Sequence, residues 1–206
     1  MAVAIFLIFR GVMSKKSSRQ LWTQALDGTH KSTRTSQTKL IDAYQRNKFN
    51  GIVLGVDPSL RGTGLAIVEF RQHTPQLLDS CRITCKPKLS FFECIHEIFS
   101  KISIMLNSIE PEEAAIEQTI YVQNYKISHT LGAARGASIA AIMQKGINIS
   151  EYAPLRIKQA VTGVGMASKE QVRRTVCSLL GIKHDISYDE SDAIAVACCH
   201  AWTYSG

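Results

Sequence analysis

No Cys-x-x-Cys pair occurs among the six cysteines at 81, 85, 94, 177, 198 and 199. The ligand spacing of zinc fingers and ribbons is therefore missing, and His96 or His200 does not restore it. Packed, reduced thiols in a reducing cytoplasm are the simpler reading. Long apolar runs are also missing. The opening stretch Met1–Phe9 is too short for a membrane span, which needs about 20 residues. It has no charged residue before it and no clear small-residue cleavage site after it, which argues against a secretory leader. Met13-Ser-Lys-Lys offers an alternative start, and the basic Ser/Thr-rich stretch 14–39 has a less favoured reading as an organelle transit segment. Finally, residues 51–206 lack any excess charge, with fifteen Lys/Arg against fifteen Asp/Glu. The net +7 comes entirely from residues 1–50, with nine basic and two acidic side chains. If the main domain meets nucleic acid, it does so through a local patch.

What is present is an ordinary soluble composition, 45% hydrophobic and 20% charged, in a chain of 206 residues. That allows one full core plus an extension. Residues 1–49 read as a basic N-terminal extension, disordered to about residue 37, with a short helical pattern near Leu40–Tyr44. From residue 50 to 206 the pattern is that of a folded domain. Ile52–Asp57 reads as a strand, Pro58–Gly62 as a turn, Thr63–Phe70 as a second strand and Leu77–Thr84 as a third, an antiparallel meander.

Ser90-Phe-Phe-Glu93 then forms a capping box. The helix behind it carries apolar residues at Phe92, Ile95, Ile98, Phe99, Ile102, Met105 and Leu106. A strand ending at Glu117, a helix over about 127–145 rich in Gly and Ala, a strand over 147–153 and a short helix opened by Pro154 follow. Two more capping boxes, at Ser168 and Ser187, open the last two helices. The order predicts a mixed sheet of five strands with helices on its faces.

Four acids stand out against this frame. Asp57 and Glu117 each close an apolar strand, where a carboxylate is costly unless it is paired or bound to a cation. If their strands are parallel neighbours, both emerge at the same strand ends, where open sheets place ligands. Asp189 and Asp192 lie three apart at the start of a helix and share a face. Taken singly, Asp57-Pro-Ser is turn chemistry and the helical pair favours the positive helix end; Glu190 is assigned to its capping box and Asp185 to a loop. Together, the four make an oxygen-rich cage suited to Mg²⁺ or Mn²⁺ and to metal-assisted phosphodiester chemistry. Arg156, Lys158, Lys169, Arg173 and Arg174 cluster within nineteen residues against Glu170 alone, a surface fit for phosphates.

These segments carry a resemblance. Gly-Val-Asp57-Pro-Ser-Leu-Arg-Gly-Thr-Gly64, Ala-Ile-Glu117-Gln, Leu-Gly-Ala-Ala-Arg135-Gly, Ile-Lys158-Gln-Ala-Val-Thr-Gly-Val-Gly165, Ser-Lys169-Glu-Gln-Val and Asp189-Glu-Ser-Asp192-Ala-Ile-Ala resemble, in order, the RuvC family of Holliday junction resolvases over about residues 51–202. The resemblance implies an RNase H-like fold and a homodimer that cuts four-way DNA junctions by paired, symmetric nicks. It also implies two Mg²⁺ per subunit, replaceable by Mn²⁺, and cooperation with a RuvA–RuvB branch-migration complex in a bacterial cytoplasm. It makes Asp57, Glu117, Asp189 and Asp192 the catalytic metal ligands. Lys158 and Lys169 fall at the scissile strand, with Arg173 and Arg174 on DNA, and Arg135 packs or pairs at the dimer interface. Some members carry a base-stacking aromatic just after the Glu-Gln pair. Here the residues are Thr119-Ile120-Tyr121, so either Tyr121 stacks from the next position or Ile120 acts as a wedge.

Three rivals stay open at the level of sequence. One is an RNase H-like nuclease acting on an RNA–DNA hybrid. Another is an actin- or sugar-kinase-type nucleotide module, for whose second domain the chain is too short. The third is a junction-binding protein without catalysis, against which the full acidic set argues.

Overall fold

Strand order explains the architecture. The computed structural model describes residues 49–72, 74–119 and 124–204. Its sheet runs β3-β2-β1-β4-β5, from β1 (Gly51–Asp57), β2 (Gly62–Arg71), β3 (Thr74–Thr84), β4 (Glu113–Glu117) and β5 (Asn148–Tyr152). The first three strands form the expected antiparallel meander. β1 and β4 pair in parallel, as do β4 and β5. β3 begins at Thr74 rather than near Leu77, because pairing with β2 extends to Arg71↔Thr74. The readings for residues 1–48, including the helical pattern near Leu40 and the disorder to about residue 37, lie outside the described residues.

Alternation along β1 divides the core. Val53 joins one buried cluster while Leu54 and Val56 join the other, as the two-residue period of a strand requires. On the second face lie α1 (Phe91–Ser108) and α2 (Tyr125–Met143). The opposite face carries α3 (Pro154–Thr162), α4 (Lys169–Leu180) and α5 (Tyr188–Thr203). α5 is buried along almost its whole length. Its last turn meets the start of the sheet, where Phe49 N–H donates to the Ala201 carbonyl at 3.4 Å.

Local chemistry sets the helix starts. Ser90, Ser168 and Ser187 each form a reciprocal capping box, with Glu93, Gln171 and Glu190 respectively. Glu190 also accepts a hydrogen bond from Ser80 of β3 at 3.0 Å, which ties the first turn of α5 to the sheet. α2 starts at Tyr125 rather than about 127, because the Asn124 side chain accepts from the N–H groups of Lys126 and Ile127. One residue of the apolar period lies off the buried face: Phe92 is 79% exposed, while Cys94, Ile98, Ile102, Met105 and Leu106 carry the buried face of α1.

All six cysteines are free thiols; four are buried, and Cys81 and Cys177 are half-buried. Among the described residues no helix is long and apolar enough to cross a membrane.

Candidate active site

Two glycines decide where the acids meet. A Cβ on Gly55 would lie 2.1 Å from the Ala193 carbonyl oxygen, and one on Gly64 would lie 1.9 Å from that of Asp189. α5 can rest on β1 and β2 only because those positions have no side chain. Gly64 pairs in register with Asp57. The contact therefore sets the backbone of Asp189 beside the residue that ends β1. On the other side of β1, the parallel register Val56↔Ile116 brings Glu117 to the same strand end. Asp192 follows one turn along α5.

The electrostatics bear the marks of this crowding. Burial, then the negative charges of Glu117, Asp192 and Asp189, push the Asp57 carboxyl up to about 7, while Lys169 opposes them. Glu117 is also raised, first by burial and then by Asp192, with Lys169 and Lys158 pulling the other way. Among the described residues no side chain donates a hydrogen bond to either carboxyl.

The helical pair is held differently. Arg82 Nε lies 2.6 Å from Asp189 Oδ2, and Lys169 Nζ lies 2.7 Å from Asp192 Oδ2. Burial alone would lower the Lys169 ammonium, but the hydrogen bond and charge of Asp192, with Asp57 and Asp189, raise it above its usual range. Four oxygen-donor side chains with excess negative charge suit a hard divalent cation. They do not yet converge: among the described residues no three acidic, histidine or cysteine side chains stand around one metal-sized point.

The basic residues divide. Lys158, on α3, is close enough for its charge to act on Glu117, and Lys169 faces Asp192. Arg173 instead pairs with Asp185 at 2.8 Å, donates to the Ile186 carbonyl and sits 5.1 Å from the Tyr188 ring centre. Arg174 pairs with Glu170 at 2.7 Å. Tyr121 and Ile120 lie outside the described residues.

Arg135 has partners within the chain. Its Nη1 donates to the Glu117 carbonyl at 2.6 Å and its Nη2 pairs with Glu151 at 2.5 Å. It fastens the ends of β4 and β5. Arg82 was missed altogether. The signal for it was its register opposite Gly64, which becomes visible only once the meander is paired.

Carboxylates gathered at one end of an RNase H-like sheet, with lysines beside them, define a nuclease of the acid-cluster, metal-dependent class. The family model "Crossover junction endodeoxyribonuclease RuvC" matches residues 53–200. A crossover junction endodeoxyribonuclease RuvC of Geobacter sulfurreducens is 39% identical over 149 residues, covering 72% of this chain and 91% of the relative. The Thermus thermophilus RuvC structure superposes with a TM-score of 0.66 at 28% identity, covering 73% of this chain and 93% of that one. A second Thermus structure, of RuvC in complex with Holliday junction substrate, also gives 0.66, at 26% identity, with the same coverage. The chain belongs to the RuvC family of crossover junction endodeoxyribonucleases.

Proposed function

We propose that this chain resolves Holliday junctions in recombination and DNA repair, as a homodimer making paired symmetric nicks. The observation that carries the reading is the placement of Asp57 among Glu117, Asp189 and Asp192 at the joint end of β1 and β4, in a chain of this family. Asp57, Glu117, Asp189 and Asp192 are the residues that would hold two Mg²⁺ per subunit, with Mn²⁺ able to substitute. When bound, such ions supply an activated water and charge stabilisation for the departing oxygen.

The protein's own part is positional. Asp57 and Glu117 are fixed by neighbouring parallel strands, and a bound cation would offset the burial and the like-charge crowding that raise both carboxyls. Arg135 clamps the Glu117 main chain. Lys158 and Lys169, at the mouth of the acidic cluster, supply mobile positive charge to a phosphate. Arg173 and Arg174 stay in the DNA-facing set as second-rank members, since each must leave a local acid to reach a phosphate. Tyr121 is assigned to a base near the cut.

The dimer has support in α2. A Cβ on Gly132 or Gly136 meets nothing within 4 Å, an open small-residue stripe that a symmetric partner can approach closely. In the same reading residues 50–206 are the nuclease domain, residues 1–49 add sequence-independent DNA affinity, and the enzyme works with RuvA–RuvB in a bacterial cytoplasm.

The test is cleavage of a labelled four-way junction in Mg²⁺, beside linear duplex and RNA–DNA hybrid. Paired, religatable nicks in the junction alone are expected. Cutting of the hybrid instead would replace the substrate, and binding without cutting in either metal would remove the catalytic role of the acids.

A further inference from the structure

Arg82 has no task in the reaction as proposed. It stands on β3, apart from the basic residues of α3 and α4. Yet its Nε lies 2.6 Å from Asp189 Oδ2. One of the four acids is thus met by a guanidinium from the far side of β2, since the sheet order runs β3-β2-β1-β4.

Two glycines open that path. Arg82 faces Gly64 in the β2–β3 register, and Gly62, two residues away, shares the same face of β2. A Cβ on Gly62 would lie 2.9 Å from Arg82 Nη2, 3.1 Å from its Nε and 3.0 Å from Asp189 Oδ2. The guanidinium therefore reaches the carboxylate across bare backbone. The same distances set Asp189 Oδ2 over β2. Glu117 closes β4, on the opposite flank of β1. Arg82 thus holds Asp189 on the side of Asp57 away from Glu117, and among the described residues Asp189 is the one carboxylate that Arg82 pairs with.

A guanidinium and a hard divalent cation seek the same kind of partner, a carboxylate oxygen. Two positive groups on one such oxygen repel each other. We propose that Arg82 is a built-in rival of the divalent cation at Asp189, so that it sets how much cation the site needs. The proposal rests on the metal-nuclease reading of the four acids. Arg82 has to let go before Asp189 can turn from β2 to join Asp57.

The test is Mn²⁺ binding to the full chain without DNA, followed by the electron paramagnetic resonance of the free ion. Arg82→Ala should tighten Mn²⁺ affinity by about tenfold, within the range of coupling between residues in direct contact. Arg82→Lys, which keeps the charge, should stay near wild type. In an Asp189→Asn background, Arg82→Ala should leave the affinity nearly unchanged. Equal tightening in both backgrounds overturns the proposal, because it reduces Arg82 to distant charge repulsion. Unchanged affinity in folded Arg82→Ala also overturns it. So does weakened affinity, which would make Arg82 a support that orients Asp189 for the cation. Wild-type protein that takes up no Mn²⁺ would remove the metal-site reading itself, whereas Mn²⁺ uptake indifferent to Arg82 removes the rival alone.

Discussion

Gly64→Ala is the substitution that best separates a positioned site from a mere collection of acids. The new methyl would stand 1.9 Å from the Asp189 carbonyl oxygen and 2.5 Å from its carbonyl carbon. Both are backbone atoms, so no side-chain rotation relieves the clash. Restoring an ordinary 3.4 Å separation requires α5 or β2 to move by about 1.5 Å, beyond the ~1 Å misplacement that costs a catalytic group about a hundredfold. The stability cost is that of overpacking, about 1–3 kcal/mol. The protein should therefore stay folded with a lowered melting temperature, while single-turnover cleavage at saturating enzyme falls by about two orders of magnitude. Gly55→Ala is the companion. Its methyl would strike the Ala193 carbonyl at 2.1 Å, further along α5 from Asp189. Since Ala193 directly follows Asp192, it should cost similar stability and a comparable loss of turnover. A folded Gly64→Ala protein that cuts junctions at the wild-type rate would refute the claim that close packing of α5 on the sheet sets the acid geometry.

Asp57→Asn should retain junction binding while cleavage falls by about a thousandfold, the scale of metal-assisted charge stabilisation worth several kcal/mol; loss of binding along with cleavage in a folded protein would count against Asp57 as a ligand. Lys158→Ala should slow cleavage about tenfold, as one charge-assisted contact is removed, and make the salt dependence of binding shallower by about one phosphate; unchanged turnover would return Lys158 to a solvated helix face. His200 provides a stability test away from the site. It is fully buried, its Nδ1 lies 3.1 Å from the Tyr152 hydroxyl, and its Nε2 has no partner among the described residues. Burial lowers its protonation range from 6.5 to about 4. Between those values the unfolded chain takes up the proton and the folded one does not. Stability therefore falls as pH drops from about 6.5 to about 4, by up to ~3 kcal/mol from this residue. Titration of the His200 ring by NMR checks it, and a midpoint near 6.5 in the folded protein would remove the effect.

Much of this arrangement was legible because it is written in local chemistry. The capping boxes at Ser90, Ser168 and Ser187 locate three helix starts to the residue. The apolar runs that end in Asp57 and Glu117 identify the two central strands whose pairing makes the site. What stayed hidden depends on contacts distant in sequence. Arg82 meets Asp189 only through the β2–β3 register and the seating of α5. Arg173 and Arg174 read as free phosphate ligands, yet Asp185 and Glu170 fold back onto them. Phe92 fits the apolar period of α1, but the face it points from is not covered by the sheet. Periodicity gives direction relative to a helix axis and does not give the extent of the surface it packs on.

The pairs around the acids differ in how firmly they are held, and that difference matches their tasks. The Arg82 and Lys169 side chains are 46% and 60% exposed. Their carboxylate partners are less open, at 23% and 16%, so the cation is the mobile half of each pair. In the proposed reaction both cations swing away from Asp189 and Asp192, Lys169 to meet a phosphate. Arg135 is 14% exposed and is held by both the Glu117 carbonyl and Glu151. Removing it would leave the main chain at the end of β4 without its donor in a half-buried setting, where the loss costs about 1–3 kcal/mol. The molecule thus keeps the strand that presents Glu117 rigid and leaves the side chains over the acidic cluster free to exchange partners. Under the proposed function, a site that admits metal and DNA while holding Asp57 and Glu117 in register needs that division.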